Sequence, residues 1–355
     1  MNLKLFLTFD HELPLGGLKT SYESSLFEPT RKVMKLADKL GVKVTLFTDI
    51  LCGKRFKEWD PTNFYIPYKN QLQNALKDGH DVQLHIHPHW LTTEYQDGTY
   101  YPSTDFGLSD FTDKAGTDGV AGIIGQSIDQ LNQLCVPANP AYKCIAFRAG
   151  GYNIAPATLS IMTALYDKGI RYDSSMARGY YFKSGISEVD FRELPASPNW
   201  IIDPGNYHLA SATMGILEVP IATMPKTLFE VPTLFKMKKY AWRAPLNHGS
   251  MIHEGNLRDR KAKIRMLLAS RMLSFDNYTL SLDYLLRIVR YNLKKYESSD
   301  TVMLSIISHP KSMGDYSFEL MEGFVNEIRK RYPEAEFMTF SQLHQTLSIE
   351  QHDTE

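Results

Sequence analysis

The chain has 355 residues, 43% of them hydrophobic, enough for one large domain or two ordinary ones and ample for a core. Its 39 Lys and Arg balance 40 Asp and Glu, a formal net charge of −1 with both signs interspersed, which argues against a footprint for nucleic acid or an anionic membrane. Three cysteines (Cys52, Cys135 and Cys144) show no CxxC spacing, so buried free thiols are expected rather than a disulfide framework or a zinc ribbon.

The first seven residues are too short an apolar run for a targeting core, and no small-residue cleavage site follows. No stretch approaches the roughly 20 apolar residues needed to cross a bilayer. A soluble, cytoplasmic protein is expected.

In chain order, residues 3–9 form an apolar run that ends in polar residues, as a buried parallel strand does. Residues 29–40 predict a helix, with Pro29 near its start, an apolar face of Val33, Leu36, Ala37 and Leu40, and Gly41 at its end. A strand is expected over 42–47, a helix over 68–77 closed by Gly79, and a strand over 82–85. A polar, Gly-rich loop around 92–120 interrupts the rhythm. It resumes with helix 123–134, strand 144–147, helix 156–167 capped by Gly169, and strand 170–172. Near the C-terminus come strand 302–307, helix 318–331, strand 336–338 and helix 341–347. Alternation of this kind implies right-handed crossovers and a parallel α/β sheet, closed into a barrel or doubly wound. Residues 176–299 break the pattern: they are rich in aromatics and Pro, then carry Lys/Arg-rich helical patterns over 257–295. They are expected as an elaboration inserted into a single domain spanning 1–355.

In such folds catalytic groups sit at the C-terminal ends of strands. The strand ends here carry Asp10-His11-Glu12, His85 to His89, Arg148, Asp173-Ser174 and His309. Two acids as close as Asp10 and Glu12 can divide their labour, one binding a cation while the other stays free as a base; a lone Asp-x-Glu is more often a turn or cap. His85 and His89, four residues apart with Pro88 between them, can face one ion, although a single histidine is more often structural. His87 precedes a proline and is biased toward extended geometry, which leaves it open as a ligand. Arg148, followed by Ala149-Gly150-Gly151-Tyr152, suits a carboxylate partner, or else an ordinary surface ion pair. His309 is a candidate proton donor.

These residues resemble the polysaccharide deacetylase (NodB-homology) superfamily over about the first 175 and the last 55 positions. Thr8-Phe9-Asp10-His11-Glu12 looks like its T-F-D-D or T-F-D-x-E motif. Gly79-His80-Asp81-Val82 followed by His85-x-x-x-His89 looks like G-H-E-I-G with the H-x-x-x-H metal pair. Phe147 to Tyr152, Tyr172-Asp173-Ser174-Ser175, Ile306-Ile307-Ser308-His309 and Phe337 to Leu343 are similar to the remaining motifs. The H-x-H-P-H-W form is similar to a bacterial, WbmS-like branch associated with O-antigen biosynthesis. The resemblance implies a distorted (β/α) barrel of about seven or eight strands. It also implies one divalent cation, usually zinc, and removal of an acetyl group from an N-acetylated sugar of a surface polysaccharide or its precursor. By motif position, Asp10 would be the base, Glu12, His85 and His89 the metal ligands, Arg148 the group that orients Asp10, and His309 the acid. Asp173 is an acidic neighbour expected to raise the pKa of His309. His11 remains an alternative to Glu12. Two rival readings stay open: a metal-dependent amidase acting on a non-sugar amide, and a non-catalytic barrel.

Overall fold

The computed structural model of the protein describes residues 1–213, 215–226, 259–279 and 281–352. Nine strands form one curled sheet: β1 (Asn2–His11), β2 (Thr45–Asp49), β3 (Asp81–Ile86), β4 (Ala146–Ala149), β5 (Tyr172–Asp173), β6 (Trp200–Ile201), β7 (Leu217–Glu218), β8 (Thr301–Ser308) and β9 (Glu336–Phe337). Their order is β6-β7-β5-β4-β3-β2-β1-β8, with β9 also beside β1. All neighbours except β6 and β7 run parallel. The parallel α/β sheet expected from the alternation is observed, and it curls in the barrel-like way that the resemblance implied rather than lying open.

The helix Glu28–Lys39 illustrates why the crossovers form. Pro29 sits in its first turn, Val33, Met34 and Ala37 are buried against the sheet, and Gly41 leaves it at φ 61, a conformation that favours glycine. A helix at Ile50–Trp59 was not expected; Asp49 caps it by accepting the Cys52 amide. The expected helical region 257–295 holds two helices, Arg260–Leu268 and Leu282–Lys295, with an extended stretch between them, and residues 257–258 lie outside the described residues.

That extended stretch changes the status of the middle segment. Past β7 the chain bonds to β8 through Ala222 N–H to Ser305 O (2.9 Å) and Ser305 N–H to Pro220 O (3.0 Å). Leu273 then donates to Ala222 O (2.8 Å), and Ile307 donates to Leu273 O (3.2 Å). Residues 217–224 and 271–275 therefore bridge the two ends of the curled sheet. Part of the segment expected as an elaboration is barrel wall, because β5 and β8 need intervening strands to satisfy their backbone groups.

Inside the curl, side chains of alternate residues stack in layers. Phe6, Phe47, Ala146, Tyr172 and Val219 form an apolar floor with Phe340 of the last helix. Above it lie Thr8, Ser305, Arg148 and Asp10, all buried, and then Glu12, His85 and His87 at the strand ends. Below the floor, Asp81 ties down the last helix: its carboxylate accepts the Ser341 amide (3.1 Å) and hydroxyl (2.8 Å) and the Gln83 amide group (2.9 Å). Asp81→Ala leaves these three donors and the Thr45 hydroxyl (3.4 Å) without their acceptor and should lower stability by about 2 kcal/mol. Urea titration followed by circular dichroism checks this; an unchanged midpoint would show that the tie contributes nothing.

Candidate metal centre and proton-transfer site

The C-terminal end of β1 presents Asp10 and Glu12 to the barrel interior and His11 to the opposite side, as the two-residue period requires. His11 is buried among helices: its Nε2 lies 2.9 Å from Gln71 Oε1 and its Nδ1 3.1 Å from Thr48 Oγ1. Burial, only partly offset by Gln71, lowers its pKa to about 4. Both imidazole nitrogens are thus engaged outside the barrel.

His85 and His87 share a face of β3 and its extension and point at the same acids. His87 is extended (φ −107, ψ 96) as its position before Pro88 favours. Its Nε2 stands 2.5 Å from Glu12 Oε2, without the alignment of a hydrogen bond. His85 Nδ1–H donates to Arg148 O (2.8 Å), which fixes the ring and aims Nε2 at Glu12 Oε2 (3.4 Å) and Asp10 Oδ2 (3.9 Å). Glycine at position 150 permits this packing, since a Cβ there would lie 2.3 Å from Ile86 O and 2.7 Å from His87 Nδ1.

His89 is placed differently. Pro88 begins a short 3-10 turn, so the two-residue alternation stops and the His89 ring leaves the Glu12–His85–His87 group. It packs against Trp90 (ring centroids 4.9 Å apart) and Phe106, fully buried, and neither ring nitrogen has a hydrogen-bond partner. Burial holds its pKa well below the usual histidine range.

Arg148 is buried and nearly saturated. It donates to Asp10 Oδ1 (2.6 Å), Ser174 O (2.8 Å), and the hydroxyls of Ser174 and Ser305 (3.0 Å each), and its guanidinium lies over the Phe47 ring at 4.3 Å. Burial alone would raise the pKa of Asp10; Arg148, then His85 and His309, outweigh it and hold the carboxyl below its ordinary range.

His309 approaches from β8, with Nε2 3.6 Å from Asp10 Oδ2 and 3.7 Å from Glu12 Oε1. The acid beside it is Asp276 rather than Asp173. Asp276 accepts both the His309 backbone N–H and Nδ1–H, each at 2.8 Å. Burial opposes the charge, but Asp276 raises the His309 pKa to about 9, so the imidazole holds a proton at neutral pH. Asp173 instead accepts the Ser175 amide (3.0 Å) and hydroxyl (2.8 Å), at the edge of the layer that supports Arg148. Its neighbour is Glu218, whose carboxyl is pushed well above its usual range, by burial first and by Asp173 next. A protonated Glu218 Oε2–H donating to Asp173 also gives a partner to an otherwise unpaired buried oxygen.

Among the described residues, Asp276 and Lys311 also face this site and were not singled out by sequence reasoning. Asp276 ends the strand-like run 271–275, an apolar alternation hidden in the segment taken for an elaboration. Lys311, two residues beyond His309, donates from Nζ to Glu12 Oε1 (2.8 Å) and Leu13 O (3.0 Å). With that oxygen engaged, Glu12 Oε2 and His85 Nε2 remain buried without hydrogen-bond partners among the described residues. A carboxylate oxygen and two imidazoles, with ligand atoms within 4.8 Å of one another and orphaned polar atoms among them, fit a divalent cation.

No family model matches the sequence, and no curated protein matches it. Among solved structures, the chain is similar to a Mycobacterium smegmatis protein assigned as a polysaccharide deacetylase (11% identity, 98% of this chain and 91% of that chain, TM-score 0.49). It is also similar to Puue allantoinase (10% identity, 97% and 89%, TM-score 0.48) and to a Bacillus anthracis pseudoenzyme of the CE4 family (8% identity, 96% and 65%, TM-score 0.42). Likeness at this level leaves the chemistry to this chain's own residues.

The Asp173–Glu218 pair generates a pH dependence. A carboxyl whose folded pKa is raised contributes stability that is fully present below its unfolded pKa and is lost as pH rises through the folded value. Wild-type stability should therefore fall, as pH rises above the ordinary carboxylate range, relative to Glu218→Gln, which mimics the protonated form. Urea midpoints of both proteins across a pH series test this, and parallel curves would refute the protonated assignment.

Proposed function

We propose that the protein is a metal-dependent deacetylase that hydrolyses the N-acetyl group of an amino sugar in a surface polysaccharide or its precursor. The observation that carries this reading is the convergence of Asp10, Glu12, His85, His87, Arg148 and His309–Asp276, from five separate stretches of chain, on one buried point. Glu12, His85 and His87 would hold the cation; two imidazoles and a carboxylate favour zinc. When bound there, it supplies Lewis-acid polarisation of the acyl oxygen and lowers the pKa of water.

The chain's own residues supply the proton transfers. Asp10, kept ionised by Arg148, is the base that accepts a proton from the attacking water. Arg148 fixes its position through the shared 2.6 Å bond and is itself held by Ser174 and Ser305. His309, protonated and turned toward the centre by Asp276, donates from Nε2 to the departing nitrogen, which cannot leave as an anion. The opposite starting protonation states of Asp10 and His309 suit the two halves of amide hydrolysis.

Metal analysis and acetate release test the proposal together. Purified protein should hold about one zinc per chain. His85→Ala and His87→Ala should lose it, while His89→Ala should keep it. Acetate should be released from at least one member of a panel of nucleotide-linked, lipid-linked and oligomeric N-acetylhexosamines, and Asp10→Asn should slow that release about 10³-fold with metal retained. Folded protein that takes up no metal overturns the enzyme reading, and hydrolysis confined to non-sugar amides overturns the substrate. Metal lost in His89→Ala but kept in His87→Ala reassigns the second histidine ligand.

A further inference from the structure

We propose that Tyr278 is a sugar-stacking residue whose hydroxyl is tied to the carboxylate that orients the proton donor, so that one side chain sets both substrate fit and acid position. This rests on the deacetylase reading above and deepens it.

The direction of entry comes first. The side chains of Asp10, Glu12, His85, His87 and Arg148 are 4% exposed or less, whereas those of His309 and Lys311 are 20% and 14% exposed. Substrate therefore reaches the centre past His309. Tyr278 lies on that side, two residues beyond the Asp276 that His309 bonds. Its hydroxyl stands 3.2 Å from Asp276 Oδ2 and 3.5 Å from Ser274 Oγ, yet the residue is 44% exposed. The polar end is anchored and part of the ring faces solvent. A ring held at one end loses little freedom when a second ring stacks on it.

Two further tyrosines lie in the neighbourhood. Tyr152 and Tyr180 meet edge to face with ring centroids 5.6 Å apart. Tyr152 occupies φ 62 directly after Gly151 at φ 57; a bulky residue rarely adopts this backbone, which turns the ring to its present place. The Tyr152 phenol is pushed up by burial first, then by the nearby hydroxyls of Tyr180 and Tyr278 and the carboxylate of Asp10. The three side chains thus lie within electrostatic reach of one another, and Tyr152 within reach of Asp10. A pyranose ring, with its apolar C–H face, fits the exposed part of the Tyr278 ring; a short acyclic amide has no face to lay on it.

The hydroxyl has a separate task. Tyr278 Oη–H and His309 Nδ1–H both donate to Asp276 Oδ2, so removing the phenol oxygen loosens the acceptor that aims His309. Tyr278 acts there as a positioning residue, and ring and hydroxyl can be separated by mutation.

The experiment uses the zinc-loaded full chain with two substrates: the N-acetylated sugar that the wild type turns over, and 4-nitrophenyl acetate, whose nitrophenolate leaves without a proton. Tyr278→Ala should raise KM for the sugar about tenfold and leave KM for the ester within about twofold. Tyr278→Phe, which keeps the ring and the fold, should leave the sugar KM unchanged, lower its kcat about fivefold, and leave ester kcat unchanged. Equal effects on both substrates, or Tyr278→Phe indistinguishable from wild type, overturn the inference while the deacetylase reading stands. A wild type that releases acetate from no sugar overturns both, and does so before any variant is made.

Discussion

Two carboxylates, Asp10 and Glu12, stand two residues apart on one buried strand, and the rest of the site is arranged around keeping both ionised. Burial alone drives each toward its neutral form, and the two repel each other. They stay charged because cationic and hydrogen-bonding groups surround them: Arg148 at Asp10, Lys311 at Glu12, and the imidazoles of His85, His87 and His309. Removing one member of such a buried pair leaves an uncompensated charge at a cost of about 3–5 kcal/mol. The arrangement is thus self-reinforcing: each acid is positioned by the cation that it stabilises.

The barrel interior makes this affordable by grading polarity along its axis. An aromatic floor seals one end, a layer of hydroxyls and the guanidinium lies above it, and titratable groups occupy the strand ends. Arg148 connects the upper two layers, with its flat face on Phe47, its donors on Ser174 and Ser305, and one arm on Asp10. The buried Asp173–Glu218 pair lies beside Ser174 and sets the far edge of that support, and it is Asp276 rather than Asp173 that bonds His309.

The proposed acid and base come from chemically similar surroundings tuned in opposite directions. Asp10 is held as an anion by a guanidinium, while His309 is held as a cation by Asp276, and the two groups lie 3.6 Å apart. That separation of protonation states is what hydrolysis of an amide requires, since one group must take a proton and the other give one. The middle of the chain supplies the tuning carboxylate, so the segment 176–299 is joined to the chemistry through the strand that closes the barrel.

The amino-acid sequence by itself determined the β/α rhythm and the strand ends at which polar groups gather, and it marked Asp10, Glu12, His85, Arg148 and His309 as candidates that the fold then brings together. Periodicity and punctuation are local, and residues 3–12 or 82–87 carry them without help from elsewhere. His87 was legible only as an open alternative: its place before Pro88 biased it toward extended geometry, and the structure turns it to Glu12, while the His89 ring packs on Trp90 with its centroid 5.5 Å from that of His87. Asp276, Lys311 and Tyr278 were not legible. A contact such as that of Asp276 with His309, 33 positions apart, depends on how 271–275 threads between β8 and the strand after β7, and no local pattern encodes that path. Tertiary structure alone decided which charges meet, because pairing in a buried site follows from three-dimensional proximity and local dielectric rather than from spacing along the chain.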